Sequence, residues 1–128
     1  MSILNKIFSG KAEKDERSKL PWIQLHTKDQ LQSIKENSTT KPQLIFKHST
    51  RCGISNMVLN QFSSRFNLDT NNIELYFLDL LKHRDISYDI ATEFNVEHQS
   101  PQLLIIKNGV VVKHASHGAI NELQLSQI

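Results

Sequence analysis

The one cysteine of this 128-residue chain, Cys52, stands in a polar segment that follows a run of apolar residues. It opens the tetrapeptide Cys52-Gly53-Ile54-Ser55, so a serine stands three residues after the thiol. A thiolate attacks disulfides, whereas a serine at this spacing cannot close a disulfide with it. A mixed disulfide formed on Cys52 therefore persists until an outside thiol resolves it, and this spacing favours monothiol exchange.

The residues around Cys52 favour its charged form. A cysteine at the start of a helix meets unpaired backbone N–H groups and the positive end of the helix dipole, and both stabilise a thiolate. Arg51 adds positive charge, and Lys47 or His48 is a further source of it. We therefore expect Cys52 to be substantially ionised at neutral pH. The alternative, an inert buried thiol, is disfavoured by the polar lead-in Ser49-Thr50-Arg51.

The hydroxyl of Ser55 has two possible partners near the start of this helix. It can donate a hydrogen bond to the Cys52 thiolate, or it can take part in ordinary N-terminal capping of the helix. The sequence leaves both alternatives open, and the same ambiguity holds for Ser49 and Thr50.

Hydrophobic periodicity predicts the elements that position Cys52. The compact apolar run from Pro42 to Lys47 predicts a strand that is buried on both faces, and this strand leads directly to Cys52. A helix that begins near Ile54 and stops at Asn67 follows it. The buried stripe of this helix is predicted to consist of Met57, Val58, Phe62 and Phe66. The cysteine is thus expected where a strand turns into a helix.

The rest of the chain alternates between strand and helix patterns. A strand at Trp22 to Leu25 precedes a helix that Thr27 caps and that buries Leu31 and Ile34. The order β-α-β-α-β-α-β-β-α demands a mixed sheet with helices on both faces, which is an α/β fold with three layers, α/β/α. The later elements are predicted as a strand at Ile73 to Leu78, a helix at Asp85 to Phe94, a strand at Leu103 to Ile106, a hairpin turn at Asn108-Gly109, a returning strand at Val110 to Val112 and a helix at Ala119 to Leu125.

Length and composition indicate one globular domain with a polar N-terminal segment. With 128 residues, of which 38% are apolar and 22% charged, the chain can bury a core without disulfides. Residues 1–19 are predicted to be a solvated lead-in, because residues 9–19 are almost wholly polar, and residues 20–128 to be the domain. A net charge of +2 is too small to argue for nucleic-acid or membrane binding.

The counts of cysteine and histidine restrict the chemistry further. A single cysteine excludes an intramolecular disulfide framework and suits a compartment in which thiols stay reduced, so we expect the protein to be cytoplasmic. The N-terminal segment has no apolar run long enough for a signal peptide or a membrane span. The six histidines lack the close paired spacing of a zinc site, so most are expected at the surface and no metal is expected.

Three features of the chain together resemble the thioredoxin superfamily. The segment Cys52-Gly53-Ile54-Ser55 has the position and spacing of the superfamily's C-x-x-C motif, with serine in the resolving place. The segment Phe94-Asn95-Val96, followed by Ser100-Pro101, is similar to the one in which a cis proline faces the active-site cysteine. Lys107-Asn108-Gly109 matches the closing hairpin. The resemblance covers nearly all of residues 20–127 and implies a thioredoxin-like fold.

Within that superfamily, the chain is similar to the monothiol bacilliredoxin family, also called bacillithiol-system proteins. The similar stretches are Phe46 to Ser55 and Ser116-His117. Members usually have proline directly after the cysteine, where this chain has Gly53. The resemblance implies that Cys52 removes a low-molecular-weight thiol of the bacillithiol type from S-thiolated client proteins, with that thiol as co-substrate and with no cofactor.

The resemblance also implies which residues bind the substrate. A cis Pro101 would present the backbone of Ser100 to an extended client chain or to the small thiol, whereas a trans proline would merely begin a strand. The fold brings residues 114–118 near the active site, so His117, like His48, is a candidate for tuning the thiol. The predicted catalytic residues are Cys52 and Ser55, and the predicted substrate-binding residues are Thr50, Arg51, Gly53, Ser100, Pro101 and His117.

Two other functions remain open on the sequence. Cys-Gly-Ile-Ser also resembles the Cys-Gly-Phe-Ser of monothiol glutaredoxins, which hold iron–sulfur clusters with glutathione. One protein cysteine cannot satisfy a four-thiolate site, so a 2Fe–2S cluster would need an outside thiol and a second subunit. The other alternative is an adaptor that keeps the fold without catalysis.

Overall fold

The structure is a computed structural model that describes residues 20–125. The predicted lead-in, residues 1–19, lies outside the described residues, as do residues 126–128, so the domain boundary stays a prediction. No helix in the described part is long and apolar enough to cross a membrane. The elements are β1 (Trp22–Gln24), α1 (Asp29–Asn37), β2 (Gln43–His48), α2 (Gly53–Arg65), β3 (Glu74–Asp79), α3 (Arg84–Phe94), β4 (Gln102–Lys107), β5 (Val110–Ser116) and a 3-10 helix (His117–Glu122).

The five strands form one mixed sheet in the order β1-β3-β2-β4-β5. Strands β1, β3 and β2 are parallel, whereas β4 is antiparallel to both β2 and β5. The central strand β2 is buried along its whole length, as its unbroken apolar run predicted. Lys47 lies opposite Gln102 in the β2–β4 ladder. The residues that follow β2 and those that precede β4 therefore meet at one end of the sheet.

Helices cover both faces of this sheet, which confirms the predicted α/β/α layers. Apolar residues of β2 alternate between the two faces, so that Ile45 packs with α1 and α3 while Leu44 and Phe46 pack with α2 and the 3-10 helix. The second face holds an aromatic cluster in which the ring centroids of Phe46 and Phe62 are 5.6 Å apart. Trp22 lies with its ring centroid 6.1 Å from that of Phe46.

The predicted hairpin joins β4 to β5. Asn108 and Gly109 both have positive φ, 54° and 82°, which is the backbone that a two-residue hairpin turn requires. The backbone of Ser38 accepts the Asn108 N–H at 2.9 Å, and its hydroxyl accepts the Gly109 N–H at 2.8 Å. Strand β5 then continues to Ser116, four residues beyond the predicted end, because its ladder with β4 runs on to Gln102.

Helix α1 begins one residue later than the Thr27 cap would place it. The residue before the helix is Lys28, and no side chain caps this end. The side chain of Gln30 instead turns back, and its Oε1 accepts the N–H groups of His26 at 2.8 Å and Thr27 at 3.0 Å. The prediction of Thr27 as N-cap is therefore wrong, because a glutamine within the helix satisfies the backbone ahead of it.

The buried stripe of α2 also differs from the predicted one. Ser55, Val58 and Phe62 are buried, whereas Met57 is 52% exposed. Met57 lies about 200° around the helix from Ser55, so only one of the two can face the sheet. A polar residue takes the inward position because hydrogen bonds at the end of β2 hold its hydroxyl there.

The C-terminal α-helix predicted at Ala119 to Leu125 is a 3-10 helix, His117–Glu122. Ile120 and Leu125 are both buried against the α2 face. In an α-helix these two positions would point about 140° apart, so both could not reach one core. The chain turns extended at Leu123, whose carbonyl accepts a hydrogen bond from the Arg65 guanidinium at 2.8 Å. The core thus overrides the helical spacing.

Candidate active site

Cys52 lies where strand β2 has ended and helix α2 begins. It is the residue immediately before α2, with extended backbone at φ −99° and ψ 120°. Its N–H donates to the Ser49 carbonyl at 3.1 Å, and its carbonyl accepts the Asn56 N–H at 3.0 Å as the first bond of the helix. The side chain is half-buried. The cysteine therefore occupies the predicted position, at which a strand turns into a helix.

The Ser55 hydroxyl has partners other than the two considered from the sequence. Ser55 is fully buried, its Oγ accepts the Ser49 N–H at 3.1 Å, and it lies 2.8 Å from Nδ1 of His48. Because the hydroxyl has one hydrogen, it donates to His48 when Nδ1 is unprotonated. Ser55 thus ties the first turn of α2 to the end of β2, and its part in the reaction stays a prediction.

His48 is the last residue of β2 and precedes the loop that carries Cys52. It is 2% exposed, and this burial lowers the pKa of its imidazole, although a hydrogen bond that the ring donates to the Asn56 side chain and the charge of Asp79 act in the opposite direction. A neutral imidazole leaves Nδ1 as the acceptor that Ser55 needs. The expectation that His48 adds positive charge near the thiol is therefore wrong at neutral pH.

Lys47 faces away from the cysteine. Its side chain is fully buried on the sheet face that α3 covers, where Nζ lies 3.3 Å from the Ser87 carbonyl and 3.4 Å from Nδ1 of His98. Burial lowers the pKa of Lys47 from 10.5 to about 8. The expectation that its charge supports the Cys52 thiolate is wrong, because alternation along β2 directs the side chain to the opposite face.

The peptide bond between Ser100 and Pro101 is cis, as the resemblance implied. Pro101 is buried and Ser100 half-buried, and the Ser100 hydroxyl has no hydrogen-bond partner within residues 20–125. The Pro101 carbonyl accepts the His117 N–H at 3.0 Å, and the Gln102 side chain donates to the Glu97 carbonyl at 2.9 Å. These bonds bring three predicted substrate-binding residues together at the start of β4.

The remaining predicted substrate-binding residues border Cys52 on the open side. Thr50, Arg51 and Gly53 are all exposed, and a Cβ placed on Gly53 would meet no atom within 4 Å. The next side chain, Ile54, is 58% exposed although it is apolar. A substrate can therefore approach the thiol over a surface that is polar on one side and apolar on the other.

The two groups of predicted residues lie at the same end of the sheet. One surrounds Cys52 after β2, and the other surrounds Pro101 before β4. No hydrogen bond within the described part of the chain joins the two groups directly. Beside the second group is an open groove of about 490 Å³, lined by Glu97, Gln99, Gln102, His114, Ser116 and His117. In residues 20–125, no three His, Cys, Asp or Glu side chains are grouped as metal ligands would be.

Sequence reasoning missed Ser87 and His98, which contact Lys47. The Ser87 hydroxyl lies 2.9 Å from Nδ1 of His98, and His98 is half-buried rather than exposed on the surface. The one available signal was the lysine at the end of a run predicted to be buried. A charged residue there needs polar partners, but the sequence does not show which distant residues supply them.

A mixed sheet, a cysteine at the N-terminus of α2 and a cis proline at the start of β4 define this protein as a thioredoxin-fold oxidoreductase. The family model described as "Monothiol bacilliredoxin BrxC" matches residues 23–125. The chain therefore belongs to the monothiol bacilliredoxin BrxC family.

Solved structures agree with this class. A protein assigned as an oxidoreductase with a thioredoxin fold is 36% identical to this chain, with 87% of this chain and 95% of that one covered and a TM-score of 0.70. The thioredoxin of Malassezia sympodialis is 17% identical over 80% of this chain and 84% of its own, with a TM-score of 0.63. Thioredoxin NaTrxh of Nicotiana alata is 24% identical over 82% and 86%, with a TM-score of 0.56. The last two likenesses show the fold.

Proposed function

We propose that this protein is a monothiol thiol–disulfide oxidoreductase that removes a low-molecular-weight thiol of the bacillithiol type from protein mixed disulfides through Cys52. The observation that carries the proposal is the half-buried cysteine before α2, with the hydroxyl of Ser55 where a resolving thiol would stand. Membership of the bacilliredoxin family supports the choice of thiol. Such a reaction belongs in a compartment that keeps thiols reduced, and we propose the cytoplasm.

The first step transfers the small thiol to Cys52. The Cys52 thiolate attacks the sulfur of the small thiol in the mixed disulfide, and the two sulfurs form a new disulfide bond. The bond between that sulfur and the client cysteine breaks, and the client leaves as a thiolate that takes up a proton from water. One disulfide replaces another, so the step needs no outside oxidant or reductant.

The second step regenerates Cys52. Ser55 has no sulfur with which to displace the bound thiol, so a second small-thiol molecule or a partner protein must supply the attacking thiolate. With a second small thiol, the attack forms the symmetrical small-thiol disulfide and releases the Cys52 thiolate. Over both steps, one free small thiol replaces the client cysteine as the disulfide partner of the first small thiol, so the client thiol is freed at the expense of one free small thiol.

The residues around Pro101 are proposed to hold the substrate during both steps. An extended substrate chain can pair with the backbone before Pro101. His117 lies beside this backbone, because its N–H donates to the Pro101 carbonyl. Thr50, Arg51 and Gly53 border the thiol on its exposed side. This arrangement orients the attacked sulfur toward Cys52, which is the main contribution that a fold can make to disulfide exchange.

A client protein with one cysteine in a mixed disulfide with bacillithiol tests the proposal. With the wild-type protein, we expect the client thiol to be released and Cys52 to gain the mass of one bacillithiol. Cys52→Ser is the matched control and should release no more client than buffer alone. Equal release by the wild type and Cys52→Ser would contradict the proposal. A brown, dimeric protein after anaerobic purification that releases no client would instead support the 2Fe–2S carrier.

A further inference from the structure

Lys47 is a buried charge whose position the exchange chemistry at Cys52 does not explain. Its side chain is fully buried, and within residues 20–125 no carboxylate lies within ion-pair distance of it. Burying an ammonium group without a counter-charge costs free energy. A lysine in such a place is therefore expected to have a role in the groups that its side chain contacts. The contacts of Lys47 therefore indicate what it does.

Those contacts are one carbonyl and one imidazole. Lys47 Nζ donates to the Ser87 carbonyl of α3 at 3.3 Å and lies 3.4 Å from Nδ1 of His98. The Ser87 hydroxyl is 2.9 Å from the same Nδ1. Nδ1 of a neutral imidazole has one lone pair, which the two donors share, so strand β2 and helix α3 both contact the His98 ring. Arg84 and Tyr88 also lie near this ring, and the tyrosine ring centroid is 5.4 Å away.

His98 stands in the segment 97–101, which connects α3 to β4 and ends at Pro101. The segment has two further attachments, one from the Gln102 side chain to the Glu97 carbonyl and one from the His117 N–H to the Pro101 carbonyl. Strand β4 begins at Gln102, directly after Pro101, and its ladder with β2 holds that end of the segment. Among the hydrogen bonds of residues 20–125, those of His98 attach the rest of the segment, residues 97–100, to β2 and α3. They therefore hold the backbone before Pro101 against β2, the strand that leads to Cys52.

We propose that Lys47 is a positioning residue for the exchange reaction, because its contact with His98 holds the backbone before Pro101 in place for a substrate that spans Pro101 and Cys52. This inference rests on the proposed function for the identity of the substrate. Lys47 lies on the sheet face that α3 covers, whereas Cys52 precedes the helix that covers the other face. Lys47 therefore acts on substrate binding and not on the reactivity of the thiol.

Lys47→Met tests the inference, because methionine fills a similar volume without a donor. We expect the KM for a bacillithiolated client to rise about tenfold, the effect of losing one charge-assisted hydrogen bond, while kcat changes less than about twofold. The rate at which iodoacetamide alkylates Cys52 should stay the same. Lys82→Met, at an exposed lysine, is the matched control and should behave as the wild type.

Variants at His98 separate positioning from general packing. The side-chain oxygen of asparagine can stand where Nδ1 stands, so His98→Asn should keep a KM close to the wild-type value. His98→Ala removes the acceptor that Lys47 and Ser87 share and should raise the KM at least as much as Lys47→Met does. If His98→Asn and His98→Ala have equal effects, or if Lys47→Met leaves the KM unchanged, the inference is wrong.

Amide hydrogen exchange at His117 gives a readout that needs no activity. Its N–H is bonded to the Pro101 carbonyl, so a loosened segment should speed its exchange about fivefold or more in Lys47→Met and in His98→Ala, but not in Lys82→Met. Unchanged exchange in Lys47→Met would overturn the inference. If the wild type does not release bacillithiol from any client, the proposed function fails, and this exchange rate alone then decides whether Lys47 positions the segment.

Discussion

Three polar side chains near Cys52, those of His48, Ser55 and Asn56, make hydrogen bonds that hold the loop around the cysteine. Ser55 accepts the Ser49 N–H and pairs with His48, while Asn56 donates its side-chain N–H to the Thr50 carbonyl at 3.4 Å. A thiol in the resolving position would have to give up the first two of these bonds. At the scale of single residues, the serine is therefore both the reason for monothiol chemistry and a support for the loop.

Replacing Ser55 with alanine tests this support. The change leaves the Ser49 N–H and Nδ1 of His48 without a partner in a buried place, and we expect it to lower the free energy of unfolding by about 1–3 kcal/mol. Ser64→Ala, at an exposed serine of the same helix, should change it by less than about 0.5 kcal/mol. Urea unfolding measures both. Equal effects of the two substitutions would show that the Ser55 hydrogen bonds contribute nothing.

The buried Lys47 makes stability depend on pH in the alkaline range. Its pKa is about 8 in the folded protein and 10.5 ordinarily, so between these values the unfolded chain holds a proton that the folded chain has lost. Unfolding then takes up a proton, and stability rises with pH across this window. Below pH 8 the folded protein bears the whole free-energy cost of burying the charged lysine, which is about 3 kcal/mol.

We therefore expect the free energy of unfolding of the wild type, minus that of Lys47→Met, to increase from pH 7.5 to pH 10.5. Urea unfolding at each pH measures both free energies. Arg84 and Tyr88 are present in both proteins, so their contributions cancel in the difference. Burial and the charges of Lys47 and Arg84 lower the pKa of His98, so it stays neutral throughout this range. A constant difference between the two proteins would mean that Lys47 does not titrate in this window.

At the scale of elements, the start of α2 is compatible with the proline that is usual in the family. Gly53 is the first residue of the helix, a position that favours proline, and Cys52 before it has the extended backbone that proline imposes on its predecessor. A side chain at Gly53 would meet no atom within 4 Å. Glycine here thus leaves backbone freedom that proline would remove.

Gly53→Pro should consequently stabilise the protein by about 0.5–1 kcal/mol, through the lower entropy of the unfolded chain. Thermal unfolding would show this as a higher Tm, and Gly53→Ala, which keeps the N–H, is the matched control. A lower Tm for Gly53→Pro would mean that the Gly53 N–H or its conformation is needed in the folded state.

The elements themselves were mostly predictable from sequence because their signals are local. The apolar run of β2 and the Asn108-Gly109 turn carry their own structural information. Predictions were wrong where distant contacts override a local pattern. Ile120 and Leu125 both pack into one core, which an α-helix would not allow. Ser55 takes the buried position in place of Met57, because its hydrogen-bond partner His48 lies in another element.

At the scale of the whole molecule, the site is formed where the fold brings two separate segments to one end of the sheet. The resemblance placed both segments correctly, since β2 and β4 are antiparallel neighbours and the bond before Pro101 is cis. The link between them through Lys47, Ser87 and His98 was not predictable. This link joins residues as far as 51 positions apart, and hydrophobic periodicity in the sequence does not indicate such a contact.

Intact mass spectrometry is the most direct test of the claim that Cys52 accepts a small thiol. The protein is exposed to oxidised bacillithiol and, separately, to oxidised glutathione, with Cys52→Ser treated in the same way. We predict a single adduct with the mass of one bacillithiol on the wild type, a smaller or no glutathione adduct, and none on Cys52→Ser. The absence of any adduct with either disulfide would contradict the account and would favour a cluster carrier or a non-catalytic adaptor.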